Sequence, residues 1–206
     1  MKNYIISSTI ILLIASGLYS LLRDVKPSGI VRTEPEIVDF SKLYESIPYK
    51  FSIYLPKKYS INENYSYSFI PDRNIDGVSF GIEESDYKGI NLSKDSYISV
   101  EMISNQTIPC KVESFLNNVT YYGEIEEQDN HIFAVASTSE AAAGNRYEQT
   151  VYVTPVANGC SAIRYFIHYT VVENYPEGAV KEFDRDELLR KFDTIRKSIK
   201  YFDKII

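Results

Sequence analysis

The chain has 206 residues, a formal net charge of −6 and 44% apolar residues. That length suits one domain with a self-sufficient core. The acidic balance, with no run of Lys or Arg, excludes a partner held by its phosphates, so no nucleic acid is expected. Tyr accounts for 18 residues and Phe for 10, with no Trp; this favours half-buried strands whose ring ends stay wet.

The N-terminus carries the strongest local signal. "MKNYIISSTIILLIASGLYSLL" places Lys2 before an uncharged stretch ending at Leu22, with its most apolar block at Ile10 to Ala15. Ala15-Ser16-Gly17 has small residues where a secretory signal is cut, and a second cut site follows Ser20. Tyr4 to Leu22 is also just long enough to span a hydrocarbon core of ~30 Å as an uncleaved anchor. Residues 1–22 are therefore a signal peptide or an N-terminal membrane anchor, and both send the rest of the chain out of the cytoplasm, to the periplasm or the outer face of a membrane. Residues 23–45, "RDVKPSGIVRTEPEIVDFSKLYE", read as a linker with mixed charge, two prolines and little periodicity. Residues 46–206 remain as a single domain.

The domain opens with an alternating strand. Tyr49, Phe51, Ile53 and Leu55 face one way, and Pro56 ends the run. "PDRNIDG" at 71–77 reads as a turn cluster, and 78–83 as a second strand. Residues 97–104 alternate again, and "VESFLNN" is a short helix candidate. A hairpin is expected around "EQDN". "AAAGN" reads as a small-residue loop, followed by a strand from Tyr147. "NG" at 158–159 joins that strand to "CSAIRYFIHYT" as an antiparallel hairpin. The last element is an amphipathic helix. Leu188, Phe192, Ile195 and Ile199 form one stripe, with Asp184 as N-cap and Glu187 as its capping-box partner. The fold class is α+β: a mostly antiparallel sheet with this C-terminal helix packed across one face.

"YKFSIYLP" at the start and "LLRKFDTIRKSIKYF" at the end, with a strand meander between them, resemble the PsbP-like α/β/α sandwich group. The resemblance covers roughly residues 45–203 and implies a binding or assembly module, often lumenal or periplasmic. It carries over no catalytic motif.

Candidate chemistry is sparse. There is no G-x-S-x-G elbow, no metal-ligand spacing of His or Cys, and no Gly-rich phosphate loop, so no cofactor or metal is expected. Cys110 and Cys160 form an even pair after an export signal, which suits one disulfide, with two buried thiols as the alternative. The remaining constellation lies on the last hairpin. Arg146, Glu148, Tyr152, Arg164 and His168 are the candidate binding patch, if the register puts Glu148 beside Arg164 or His168. The alternative is a salt-bridged, solvated sheet face. The functional expectation is an extracytoplasmic, non-enzymatic binding or assembly module with protein partners in the cell envelope. A small enzyme using the Arg164/His168 face and a structural part of an envelope complex are the competing readings.

Overall fold

The structure, a computed structural model, describes residues 39–104, 109–157 and 159–202. The expected signal or anchor over 1–22 and most of the expected linker lie outside the described residues. Among the described residues, no helix is long and apolar enough to cross a membrane.

Two antiparallel sheets carry the fold. The smaller contains β1 (Lys42–Ser46), β2 (Phe51–Leu55) and β11 (Lys200–Tyr201) in the order β1-β2-β11. The larger is built from β3 (Ser60–Ile70), β4 (Arg73–Gly81), β5 (Tyr97–Ile103), β6 (Tyr121–Tyr122), β8 (His131–Ala142), β9 (Asn145–Val156) and β10 (Gly159–Thr170). Its order is β3-β4-β5-β10-β9-β8-β6, and β7 (Glu126–Gln128) pairs with β8 beside that path. Among the described residues the α-helices are a single turn, α1 (Glu84–Tyr87), and the C-terminal α2 (Arg185–Lys197).

One face of the large sheet is covered by α2 and the small sheet. Alternation in β2 turns Phe51, Ile53 and Leu55 inward, all fully buried. They join Val78, Phe80, Ile98, Ile163, Tyr165 and Ile167 of the large sheet and Leu188, Phe192, Ile195 and Ile199 from the helical end. The Phe192 and Tyr165 rings lie 5.3 Å apart. The helix stripe thus docks where its spacing predicts. Asp184 caps α2 by accepting a hydrogen bond from the Glu187 amide at 2.9 Å; the Glu187 side chain reaches Lys191 at 3.4 Å.

The opposite face has a smaller cover. Residues 109–119, with a 3-10 turn at Val112–Ser114, lay Val112, Phe115 and Leu116 onto it. The Cys110–Cys160 disulfide anchors this segment to the start of β10. An intramolecular bridge of this kind fits an oxidising compartment.

Three expectations are corrected. Residues 42–45, read as linker, form most of β1, whose Tyr44 packs edge-on against Phe80 at 5.4 Å. Its only strongly apolar neighbour, Leu43, is exposed, so no alternation announces the strand. "PDRNIDG" is not a seven-residue turn: Pro71-Asp72 makes the turn, with Asp72 at φ 57°, and β4 starts at Arg73. "AAAGN" is not a loop either: β8 and β9 run to a tight turn at Ala143-Gly144, both at positive φ (48° and 82°), which matches the right-handed twist of the flanking strands.

Candidate binding groove

The β9–β10 hairpin decides where the expected patch goes. Val156 pairs with Gly159, Tyr152 with Ile163 and Glu148 with Ile167. Directly paired residues share a face, so even-numbered residues of β9 lie with odd-numbered residues of β10. The five residues are therefore divided between the two faces of the sheet. Arg146, Glu148 and Tyr152 belong to the helix face, and Arg164 and His168 to the opposite one.

On the helix face, Glu148 accepts from Arg185 at 2.8 Å and from the Tyr169 hydroxyl at 3.2 Å, and meets neither Arg164 nor His168. Arg146 is half-buried beside it, donating to the Asn145 carbonyl at 3.1 Å. Tyr152 is buried under the Arg196 guanidinium, 3.9 Å from the ring centroid, and burial pushes its phenol up to about 12. Arg196 is itself buried, donating to Tyr165 at 2.9 Å and pairing with Glu126 at 2.8 Å.

Arg164 is not on a wet outer surface, as an exposed reading of β10 requires; it is 0% exposed. Its Nε and Nη2 grip the two Glu101 oxygens at 2.7 and 2.8 Å. Nη2 also donates to the Phe115 carbonyl, and Nη1 to Gln149 Oε1 at 2.7 Å. The guanidinium lies 3.5 Å over the Tyr67 ring. Glu101 in turn accepts from Tyr65 at 2.8 Å and Ser99 at 2.9 Å. Burial alone would make Arg164 less basic, but the Glu101 carboxylate more than offsets this and holds it firmly charged. Burial, with the Glu101 charge next, pushes the Tyr65 phenol far up.

His168 is pinned at both ring nitrogens. Nδ1 lies 2.9 Å from Asp95 and Nε2 lies 3.2 Å from Asn145 Oδ1, while the ring stacks on Tyr147 at 4.4 Å. Partial burial would raise the Asp95 carboxyl, but hydrogen bonds from Ser93 and His168 outweigh it and hold the group below its usual range. With both nitrogens occupied, the imidazole has none turned toward a nucleophilic hydroxyl.

Beside this buried ion pair the same face opens into a groove of about 340 Å³. Tyr67 and Phe69 of β3 form one wall, and Tyr147 and Phe166 the other. Register shifts between Asn62 and Tyr65, and between Tyr67 and Ile70, bend β3 so that its end curls over the sheet. As a result the Tyr67 hydroxyl reaches Gln149 on β9 at 2.9 Å. Asn117 and Asn118 close one end and Glu140 borders it. The 109–119 segment is locked in place by Asn117 donating to the Phe69 carbonyl at 2.7 Å and Thr138 donating to the Asn118 carbonyl at 2.8 Å. The aromatic surface continues beyond the groove, since Phe166 stacks on Tyr97 at 4.9 Å. Phe69 stands 74% exposed at the rim.

Of the five expected residues, none lines the groove; Arg164 lies beneath it and His168 beside it. The lining comes from a strand that the sequence pattern left unassigned (β3), from the crossing segment, and from the alternate positions of β9 and β10. A signal was present in "YSYSF", Tyr65 to Phe69, whose aromatic residues alternate with serine. Among the described residues, no group of His, Cys, Asp and Glu is arranged to hold a metal ion.

No protein-family model matches the chain, and no curated protein matches it. A solved structure from Bacteroides thetaiotaomicron VPI-5482 is similar over 79% of this chain, at 10% identity and a TM-score of 0.40. The chain spans about half of that protein's length, 48%.

Proposed function

We propose that this protein is an exported, non-enzymatic binding module whose ligand site is the aromatic groove between β3 and the β9–β10 hairpin. The observation that carries the reading is the combination of an aromatic-walled groove with a floor that does not need to rearrange. Arg164 is committed to Glu101, Gln149 and the Phe115 carbonyl, so it anchors the groove rather than serving as a free charge within it. The volume of about 340 Å³ falls within the range of small-ligand sites. The PsbP-like likeness of the two chain ends supports a binding or assembly role, and the Cys110–Cys160 bridge supports export.

The test is two-dimensional NMR on the full chain, titrated with a panel of free sugars and short oligosaccharides, short peptides and aliphatic acids. Shifts clustered on Tyr147, Gln149, Phe166 and Phe69 are expected. A panel in which no member moves those signals overturns the groove as a ligand site. Export is tested separately on protein from its native host. A mature chain starting just after Gly17 or Ser20, or a membrane-bound chain retaining Met1, supports it; free Cys110 and Cys160 thiols in cytoplasmic protein overturn it.

A second reading, a protein partner in the envelope, is favoured by a different surface. Tyr121, Tyr122, Ile125 and Ile132 are all 60% exposed or more along the β6–β8 edge. Photo-crosslinkers at Ile132 and, as a control, at Ser66 test it in intact envelopes. Capture at Ile132 alone supports an edge-docked partner, and equal capture at both positions overturns it.

A further inference from the structure

From the hydrogen-bonding inventory of the groove we infer that its ligand is a neutral saccharide chain. This rests on the groove being a ligand site. The walls are rings, whose faces stack on flat, weakly polarised C–H surfaces. The lining residues are Tyr67, Phe69, Asn117, Asn118, Glu140, Tyr147, Gln149 and Phe166, with no Lys or Arg among them, and Glu140 contributes an exposed carboxylate. An anionic ligand such as a phosphate or uronate would meet repulsion and no counter-charge.

The polar groups are unevenly spent. The Asn117 amide donates to the Phe69 carbonyl at 2.7 Å, and the Asn118 amide points at Glu140 at 3.5 Å. One N–H of each asparagine amide is thus spent on the protein, and the second remains. Their Oδ1 atoms and the second Glu140 oxygen remain as acceptors. Gln149 is the converse: its Oε1 takes hydrogen bonds from both Arg164 and Tyr67 at 2.7 and 2.9 Å, and its Nε2 donors remain. The groove therefore offers amide donors and carbonyl or carboxylate acceptors side by side, no cation among its lining residues, and apolar walls.

A ligand that matches must bring groups that both donate and accept on its edges, C–H groups on its faces, and no negative charge. Vicinal hydroxyls on a pyranose ring do this. A peptide brings one N–H and one C=O per residue along an extended backbone, and so presents fewer hydrogen-bonding groups per stacked ring than a pyranose with its vicinal hydroxyls. A fatty acyl chain would desolvate the asparagines and Glu140 with no compensation.

The experiment is calorimetric titration of the full chain with neutral hexose oligomers of differing linkage, a uronic-acid oligomer and a phenylalanine-containing peptide, followed by NMR mapping of whatever binds. The expected result is binding of at least one neutral oligomer at the groove signals, with an affinity that hardly changes between low and high salt because no ion pair is involved. Removing a stacking ring by Phe69→Ala or Phe166→Ala is expected to weaken it by about tenfold each. Phe69 is exposed, so its variant folds normally and remains informative if the Phe166 variant does not. Binding of the peptide or the uronate at the groove, but of no neutral oligomer, overturns the saccharide assignment and leaves the ligand site standing. No binding at the groove by any of the three overturns both.

Discussion

Arg164 and Glu101 show how much a single buried pair can organise. Both side chains are 0% exposed, and they are tied by two hydrogen bonds under Phe115 and Tyr67. Burying two charges is expensive, and their attraction repays it only when every remaining donor and acceptor is satisfied. Here the carboxylate also holds Tyr65 and Ser99, and the guanidinium also holds Gln149 and the Phe115 carbonyl. Arg164→Met is expected to destabilise by about 3–5 kcal/mol, because Glu101 is left buried and unpaired. The double variant Arg164→Met/Glu101→Leu should recover much of that loss. Urea unfolding of the two variants checks this; a double variant no more stable than the single would mean that packing, rather than the orphaned charge, sets the loss. In sequence, Arg164 stood out only as a charge on a strand. That it is buried depends on Glu101, 63 positions away, and no local pattern contains that fact.

Elements, unlike single charges, were largely readable. The α2 stripe predicted its docked face, and Phe192 is 0% exposed against Tyr165. Phe192→Ala is expected to cost about 3–5 kcal/mol in thermal or denaturant unfolding, and a loss near zero would remove the helix from the core. The strand hairpin held a further clue. A two-residue connection pairs residues separated by an odd number, so Glu148 cannot share a face with Arg164 or His168 whichever two residues make the turn. The parity follows from counting, and it rules out the cross-strand pair that composition suggests. The β7–β8 turn is similar: Asp129 and Asn130 sit at φ 49° and 64°, the left-handed pair that a tight hairpin needs and that Asp and Asn tolerate. The covering segment 109–119 depends on its bridge, which closes a 50-residue separation. Cys110→Ser/Cys160→Ser is expected to lose about 4 kcal/mol by the chain-entropy account. The same variant should loosen Asn117 and Asn118, so amide exchange there should rise more than in β9. Equal protection in both forms would show that Asn117 and Thr138 hold the segment without the bridge.

At the scale of the molecule, the tyrosines set the response to alkali. Tyr44 and Tyr152 are both pushed up to about 12, chiefly by burial, from an ordinary value of 10.0. Tyr65 and Tyr165 are also driven up, again by burial first. A raised folded value means that the unfolded chain gives up its protons first. Stability is then level below pH 10.0, where both states stay protonated, and falls as pH rises through 10.0 towards about 12. Ultraviolet titration should show a class of phenols that ionises late, together with loss of the near-ultraviolet circular dichroism. A single smooth titration near the ordinary value would contradict burial of these rings.

Periodicity, caps and turn residues were enough to place the closing helix, the β9–β10 hairpin and the α+β class, because each rests on neighbours a few residues apart. The pairing of Cys110 with Cys160 was the expectation of an even count after an export signal, and the bridge is present. The groove did not. Its walls come from β3, from the segment after Cys110 and from two central strands, and they meet because bulges bend β3 over the sheet while a disulfide holds the segment down. Local chemistry sets each strand's two faces, but which face is buried, and by what, is decided by contacts between residues far apart in the chain.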